Sequence, residues 1–174
     1  LARLAKGSDG KFLKLIGGYP AWSDWGWTDE FGGAALSSHW FEDKPAGAIT
    51  VSGGELKFTC NNAENCDWWG GAIENAPLIM LGIPDYNWDF IAKVTQLSPA
   101  TASHGVGIIL YKDRDNTYQF HRCYDGSYRV VVDKIVNNVG NNIVNPIVAG
   151  TPIWLKLRRR GSYYYFDYST DGSG

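Results

Sequence analysis

At 174 residues, 44% hydrophobic and 20% charged, the chain is long enough to bury a core and too apolar to be a disordered tail. Its 16 Lys and Arg against 18 Asp and Glu give a formal charge of −2. That excludes the basic excess of a dedicated nucleic-acid binder, and no apolar run of about 18 residues is present to span a membrane as a helix.

The 8 Trp, 10 Tyr and 7 Phe, beside 21 Gly and a single Met, favour short strands and tight turns over helices. Residues 1–18 read as a separate segment broken at Gly7-Ser8-Asp9-Gly10, with Lys11-Phe12-Leu13-Lys14-Leu15-Ile16 as a candidate strand. Tyr19 to Trp27 reads as a ring-rich irregular stretch. We therefore expect residues 1–26 to form an N-terminal extension or edge strand with a Trp-rich loop, and residues 27–174 to form the main domain. Leu1 follows no charged-then-apolar leader and Ser173-Gly174 follows a turn, so we read the chain as a processed or excised piece of something longer.

Strand signals then recur about every ten residues. Ala48 to Val51 and Glu55 to Cys60 flank Ser52-Gly53-Gly54 as a hairpin. Trp88 to Val94 alternates, as does Gly105 to Tyr111. Asp113-Arg114-Asp115-Asn116 turns into Thr117 to Tyr124, and Asp125-Gly126 turns into Ser127 to Asp133. In Ile153 to Arg160, Ile153, Leu155 and Leu157 face one way and Trp154, Lys156 and Arg158 the other. Gly161-Ser162 leads into Tyr163 to Tyr168. Period-two patterning gives each strand one buried and one solvated face. No window carries a helical period and no repeat of 20–50 residues is visible. The expected fold is all-β, a two-sheet antiparallel sandwich.

Cys60 and Cys66 bracket the polar loop Asn61 to Asn65, which can close as a small disulfide ring. Zinc fits less well, because no C-x-x-C or His-x-x-x-His pattern accompanies them; spacing alone does not fix S–S geometry. Cys123, inside a strand, reads as a buried free thiol. A disulfide, the many rings and the scarcity of Met suit an extracellular or cell-surface setting.

The order of landmarks resembles the jelly-roll sandwiches of the concanavalin A-like lectin/glucanase superfamily, in particular the C-terminal domains of bacterial β-xylosidases and related domains of unknown function. The resemblance rests on Asp29-Glu30-Phe31, Leu36-Ser37-Ser38-His39-Trp40, Gly53-Gly54-Glu55-Leu56, Asp67-Trp68-Trp69, Asn87-Trp88-Asp89-Phe90 and Gly107-Ile108-Ile109-Leu110-Tyr111. It continues through Trp154-Leu155-Lys156-Leu157, the Gly161 turn and Tyr168-Ser169-Thr170-Asp171-Gly172. Members of this family run on past the Ser-x-Asp-Gly turn into another strand, and residues 1–26 are extra. A sandwich lacking an edge strand leaves backbone groups to be paired; Lys11 to Ile16, from this chain or a neighbour, is a candidate to fill the gap.

Glucanases of this fold carry paired carboxylates on one strand. Glu30, Glu42, Glu55, Glu64 and Glu74 form no such set, and no Gly-x-Ser-x-Gly or phosphate-binding Gly loop occurs. Asp113 and Asp115 read either as a solvated hairpin turn or as part of a calcium site; no other cofactor is expected. The candidate ligand residues are aromatic rings with polar neighbours, which suit sugars: the C–H face stacks and the hydroxyls take hydrogen bonds. Asp67, Trp68 and Trp69 come first, and the resemblance implies that Trp69 lines the open face with Asp67 as acceptor. Tyr111, His121, Arg122 and Tyr124 come second. If Phe120 is buried, Gln119, His121 and Cys123 face outward; if not, Arg122 and Tyr124 do. Trp25 sits in a third cluster with Trp22 and Trp27. Trp154, Lys156, Arg158, Arg159 and Arg160 form a basic-aromatic strand, read as a solvated face with anionic glycans as its other target.

The leading expectation is a non-catalytic carbohydrate-binding module with a polysaccharide or glycan ligand, accessory to an extracellular glycan-degrading enzyme. One alternative is a structural subunit of an extracellular filament or surface layer that self-associates by strand exchange through its N-terminal segment. Another is a glycoside hydrolase using an acid such as Glu74 or Asp89.

Overall fold

The computed structural model describes residues 11–16, 19–24, 29–44, 46–60, 75–83, 87–95 and 104–172. Every helix or strand among them is a β-strand. The chain divides into two compact units, residues 1–39 with 50–57, and residues 40–49 with 58–174.

In the first unit, β1 (Lys11–Ile16) and β2 (Tyr19–Asp24) form an antiparallel hairpin, with Lys11 opposite Asp24 and Ile16 opposite Tyr19. The expectation of an irregular stretch from Tyr19 onward is corrected over residues 19–24. A partner strand two residues away supplies a ladder that composition alone does not reveal. Further on, β3 (Phe41–Asp43) precedes the hairpin of β4 (Ala48–Ser52) and β5 (Glu55–Thr59). Gly53 and Gly54 turn that hairpin with φ of 62° and 80°, a left-handed region that glycine enters at no steric cost. β3 pairs with β6 (Leu78–Met80).

The sandwich lies in the second unit. β7 (Trp88–Val94) is followed by β8 (His104–Asp113), β9 (Asn116–Tyr124), β10 (Tyr128–Val136) and β11 (Val139–Val144), then β12 (Ile153–Arg160) and β13 (Tyr163–Ser169). One sheet has the order β11-β10-β9-β8 and the other β13-β12-β7. Every pairing in them is antiparallel. The turn from β8 to β9 is built by Asp113, whose Oδ1 accepts from Asp115 N at 3.1 Å and Asn116 Nδ2 at 2.7 Å. Asn137 and Asn138 turn β10 into β11 at φ of 50° and 62°, the signature of a two-residue hairpin.

Alternation decides the core. Ile108, Phe120, Val130 and Val132 from one sheet meet Val94, Ile153, Leu155 and Leu157 from the other, with Val148 closing the cluster. Phe120 packs edge-on against Phe166 with ring centres 5.5 Å apart. Burying such side chains contributes about 1.5–3 kcal/mol each, and this layer holds the two sheets together. The fold is therefore an all-β, two-sheet antiparallel sandwich, as the alternation predicts.

Candidate functional site

Phe120 is only 1% exposed. Its burial settles which face of β9 is which: Tyr118, Arg122 and Tyr124 share the core-facing side, and Thr117, Gln119, His121 and Cys123 share the other. On that second face, β10 places Asp133 diagonally from His121. Asp133 is buried, at 2% exposure, and its two carboxylate oxygens are both engaged. Oδ2 lies 2.8 Å from His121 Nε2, and Oδ1 accepts from Asn142 Nδ2 at 3.1 Å. A carboxylate only accepts, so Nε2 carries the hydrogen of this contact.

Asn142 reaches Asp133 because of a register shift. Val132 pairs with Val144, yet Asp133 pairs with Asn142, so Ile143 is the extra residue. Such a bulge re-aims a neighbouring side chain, and no periodicity in the sequence announces it.

On the other side of His121, β8 presents Gly105 and Gly107, both exposed. A Cβ at Gly105 would overlap His121 Nδ1, and one at Gly107 would overlap the Phe120 carbonyl oxygen. These two glycines clear a strip of bare backbone beside the imidazole. Tyr111, 42% exposed, stands further along the same face of β8. The strip thus combines an oriented imidazole, side-chain-free backbone and an exposed ring. Cys123 lies on this face too, but burial pushes its thiol up, with Asp125 and Asp133 adding to the effect and Arg129 and Arg122 opposing it. It is a protonated thiol rather than a nucleophile.

Arg122 and Tyr124 belong to the opposite side. Arg122 is 1% exposed and donates to the carbonyls of Val148 and Gly150, fastening the segment that also bridges to β10 through Val148 N and Tyr128 O at 2.9 Å. Its guanidinium sits 4.4 Å from the Tyr128 ring centre, and Tyr128 packs on Tyr124 at 5.1 Å. Burial lowers its pKa, while Tyr128 and Cys123 push it back up. Tyr111 and His121 therefore share the strip's face, and Arg122 and Tyr124 form a separate clamp. His104 begins β8, one residue ahead of the alternating run Gly105 to Tyr111, and its ring centre is 6.1 Å from that of Tyr124. Asp67, Trp68, Trp69, Trp25 and Cys66 lie outside the described residues. Cys60 is disulfide-bonded and Cys123 is free. Among the described residues no group of three or more His, Cys, Asp or Glu is arranged to hold a metal, and no helix is long and apolar enough to cross a membrane.

The two packed antiparallel sheets define a sandwich of the concanavalin A-like jelly-roll type. The family model for the β-xylosidase C-terminal concanavalin A-like domain matches residues 28–174, and the chain belongs to that family. No curated protein and no solved structure matches it.

Proposed function

We propose that this chain is a non-catalytic module that binds carbohydrate, accessory to an extracellular glycan-degrading enzyme. The observation that carries the reading is the strip on β8 and β9, where exposed Gly105 and Gly107 lie beside His121, itself oriented by buried Asp133. A sugar offers hydroxyls that both donate and accept. An imidazole held in one orientation, flanked by bare backbone, meets that chemistry. Tyr111 supplies a ring for the apolar face of a neighbouring sugar unit. Asp67, Trp68, Trp69 and Trp25 are the further aromatic and acceptor groups we assign to the ligand from the sequence.

Catalysis is the weaker reading for the described carboxylates. Asp133 is fully engaged by His121 and Asn142, and Asp89 is paired with Arg160 and, at 3.9 Å, with Lys156. Retention on a panel of insoluble and gel-embedded polysaccharides tests the proposal. The parent chain should be retarded by at least one glycan, and His121→Ala or Trp69→Ala should weaken that retardation about tenfold, equivalent to roughly 1.4 kcal/mol. Equal retardation of parent and both variants, with unchanged circular dichroism, would overturn it.

A further inference from the structure

The outward face of the β13-β12-β7 sheet carries a second arrangement, independent of the His121 strip. Register places Trp154, Lys156, Arg158 and Arg160 of β12 between Lys93, Ile91 and Asp89 of β7 and Ser169, Asp167, Tyr165 and Tyr163 of β13. The charges on this face do not balance. Arg158 Nε donates to Asp167 Oδ2 at 2.7 Å, and Asp89 is held by Arg160, with Lys156 only 3.9 Å away. Asp89 is thus shared by Arg160 and Lys156 and Asp167 is taken by Arg158, so the four cations Lys93, Lys156, Arg158 and Arg160 outnumber the two carboxylates. Asp171, in the turn that follows, accepts from Ser169 Oγ; its carboxylate narrows the excess but leaves four cations against three carboxylates.

Lys156 lines an apolar hollow, and Lys93 stands by the ring of Trp154, which lines it too. A shallow depression of about 50 Å³ lies between Ile91, Trp154, Lys156, Asp167 and Tyr168. Lys93 Nζ sits 5.6 Å from the Trp154 ring centre, and Ile91 is 56% exposed. The depression is built rather than incidental. Ser169 Oγ accepts from the backbone N–H of Asp171 and Gly172. That turn seats Gly172, at φ 80°, against the indole of Trp154, where a Cβ would come within 3.3–3.6 Å of the ring.

We propose that this face binds acidic sugar units, uronic-acid residues of a polysaccharide, with the sugar's C–H face against Trp154 and Ile91 and its carboxylate between Lys93 and Lys156. The hollow is far smaller than a drug-sized pocket of roughly 300 Å³ or more, so it takes one ring edge of a chain lying across the sheet. The excess of cations selects a carboxylate-bearing sugar over a neutral one. This inference rests on the carbohydrate reading above for its ligand class but uses a different surface.

Titration of the full chain with a galacturonic-acid oligomer, and separately with a neutral xylo-oligosaccharide, tests it. The acidic oligomer should bind more tightly, and its affinity should fall as salt rises toward 0.3 M, because exposed charge pairs are screened. Lys93→Gln and Lys156→Gln should each weaken it about fivefold, the scale of one exposed charge contact. Trp154→Ala should weaken it further. Unchanged affinity in the two lysine variants, which leave the fold's core intact, would overturn the proposal even if Trp154→Ala fails to fold. Binding of the neutral sugar alone, lost in His121→Ala, would overturn it while sustaining the preceding reading. Binding of neither sugar would overturn both.

Discussion

Cys123 illustrates how one position can share a face with a candidate site and still take no part in its chemistry. Burial raises its pKa above the ordinary thiol value of 9.0, so the folded state holds the proton more tightly than the unfolded chain does. The resulting stabilisation is complete below the unfolded thiol's pKa and is lost as pH rises through the higher folded value. Thermal melts between pH 7 and 11 should therefore show the parent losing stability at the alkaline end more steeply than Cys123→Ala. The same thiol should alkylate more slowly with iodoacetamide at pH 8 than cysteine in an unstructured peptide; an equal rate would contradict its burial. Asp133 shows the limit of reading residues singly. Its side chain is acidic on paper, yet His121 and Asn142 consume both oxygens, a fact that depends on strand pairing 12 and 9 residues away in sequence.

At the level of the element, β8 and β9 must lie unusually close where Gly107 faces His121. Gly107→Ala would drive a methyl group into the Phe120 carbonyl oxygen, which moves only if the strand moves. The expected cost is about 1–3 kcal/mol, read as a lower denaturation midpoint. Gly82→Ala, with open space around the added carbon and no left-handed backbone, should be near neutral by the same assay. Most strands were legible in the chain: β7 and β12 coincide with the alternating runs Trp88 to Val94 and Ile153 to Arg160. β11 was not, because Val139–Val144 is polar at its centre and its pattern is exposed nearly throughout. The Asn137-Asn138 pair before it was the available signal, since two adjacent residues tolerant of positive φ mark a two-residue hairpin. The strip beside His121 was half legible. Alternation put Gln119, His121 and Cys123 together, but the clearing role of Gly105 and Gly107 and the bulge at Ile143 arise only once strands are side by side.

For the whole sandwich, stability rests on the layer between the sheets. Leu155 is fully enclosed there, so Leu155→Ala should cost about 2–5 kcal/mol, or roughly 10 °C in Tm for a chain of this size. Its outward neighbour Lys156→Ala should stay within about 0.5 kcal/mol, and calorimetry on both separates core from surface. The Arg122 clamp and the His121 strip have a joint consequence for how such a chain tolerates insertion and deletion. They occupy consecutive positions of β9 and serve opposite sides of it, so removing one residue between Thr117 and Cys123 would exchange the two faces beyond that point. An arginine would then be turned outward and an imidazole inward. Length variation among related chains is accordingly expected at the flanking hairpin turns, around Arg114-Asp115 and Asp125-Gly126, while the stretch between them keeps a fixed residue count.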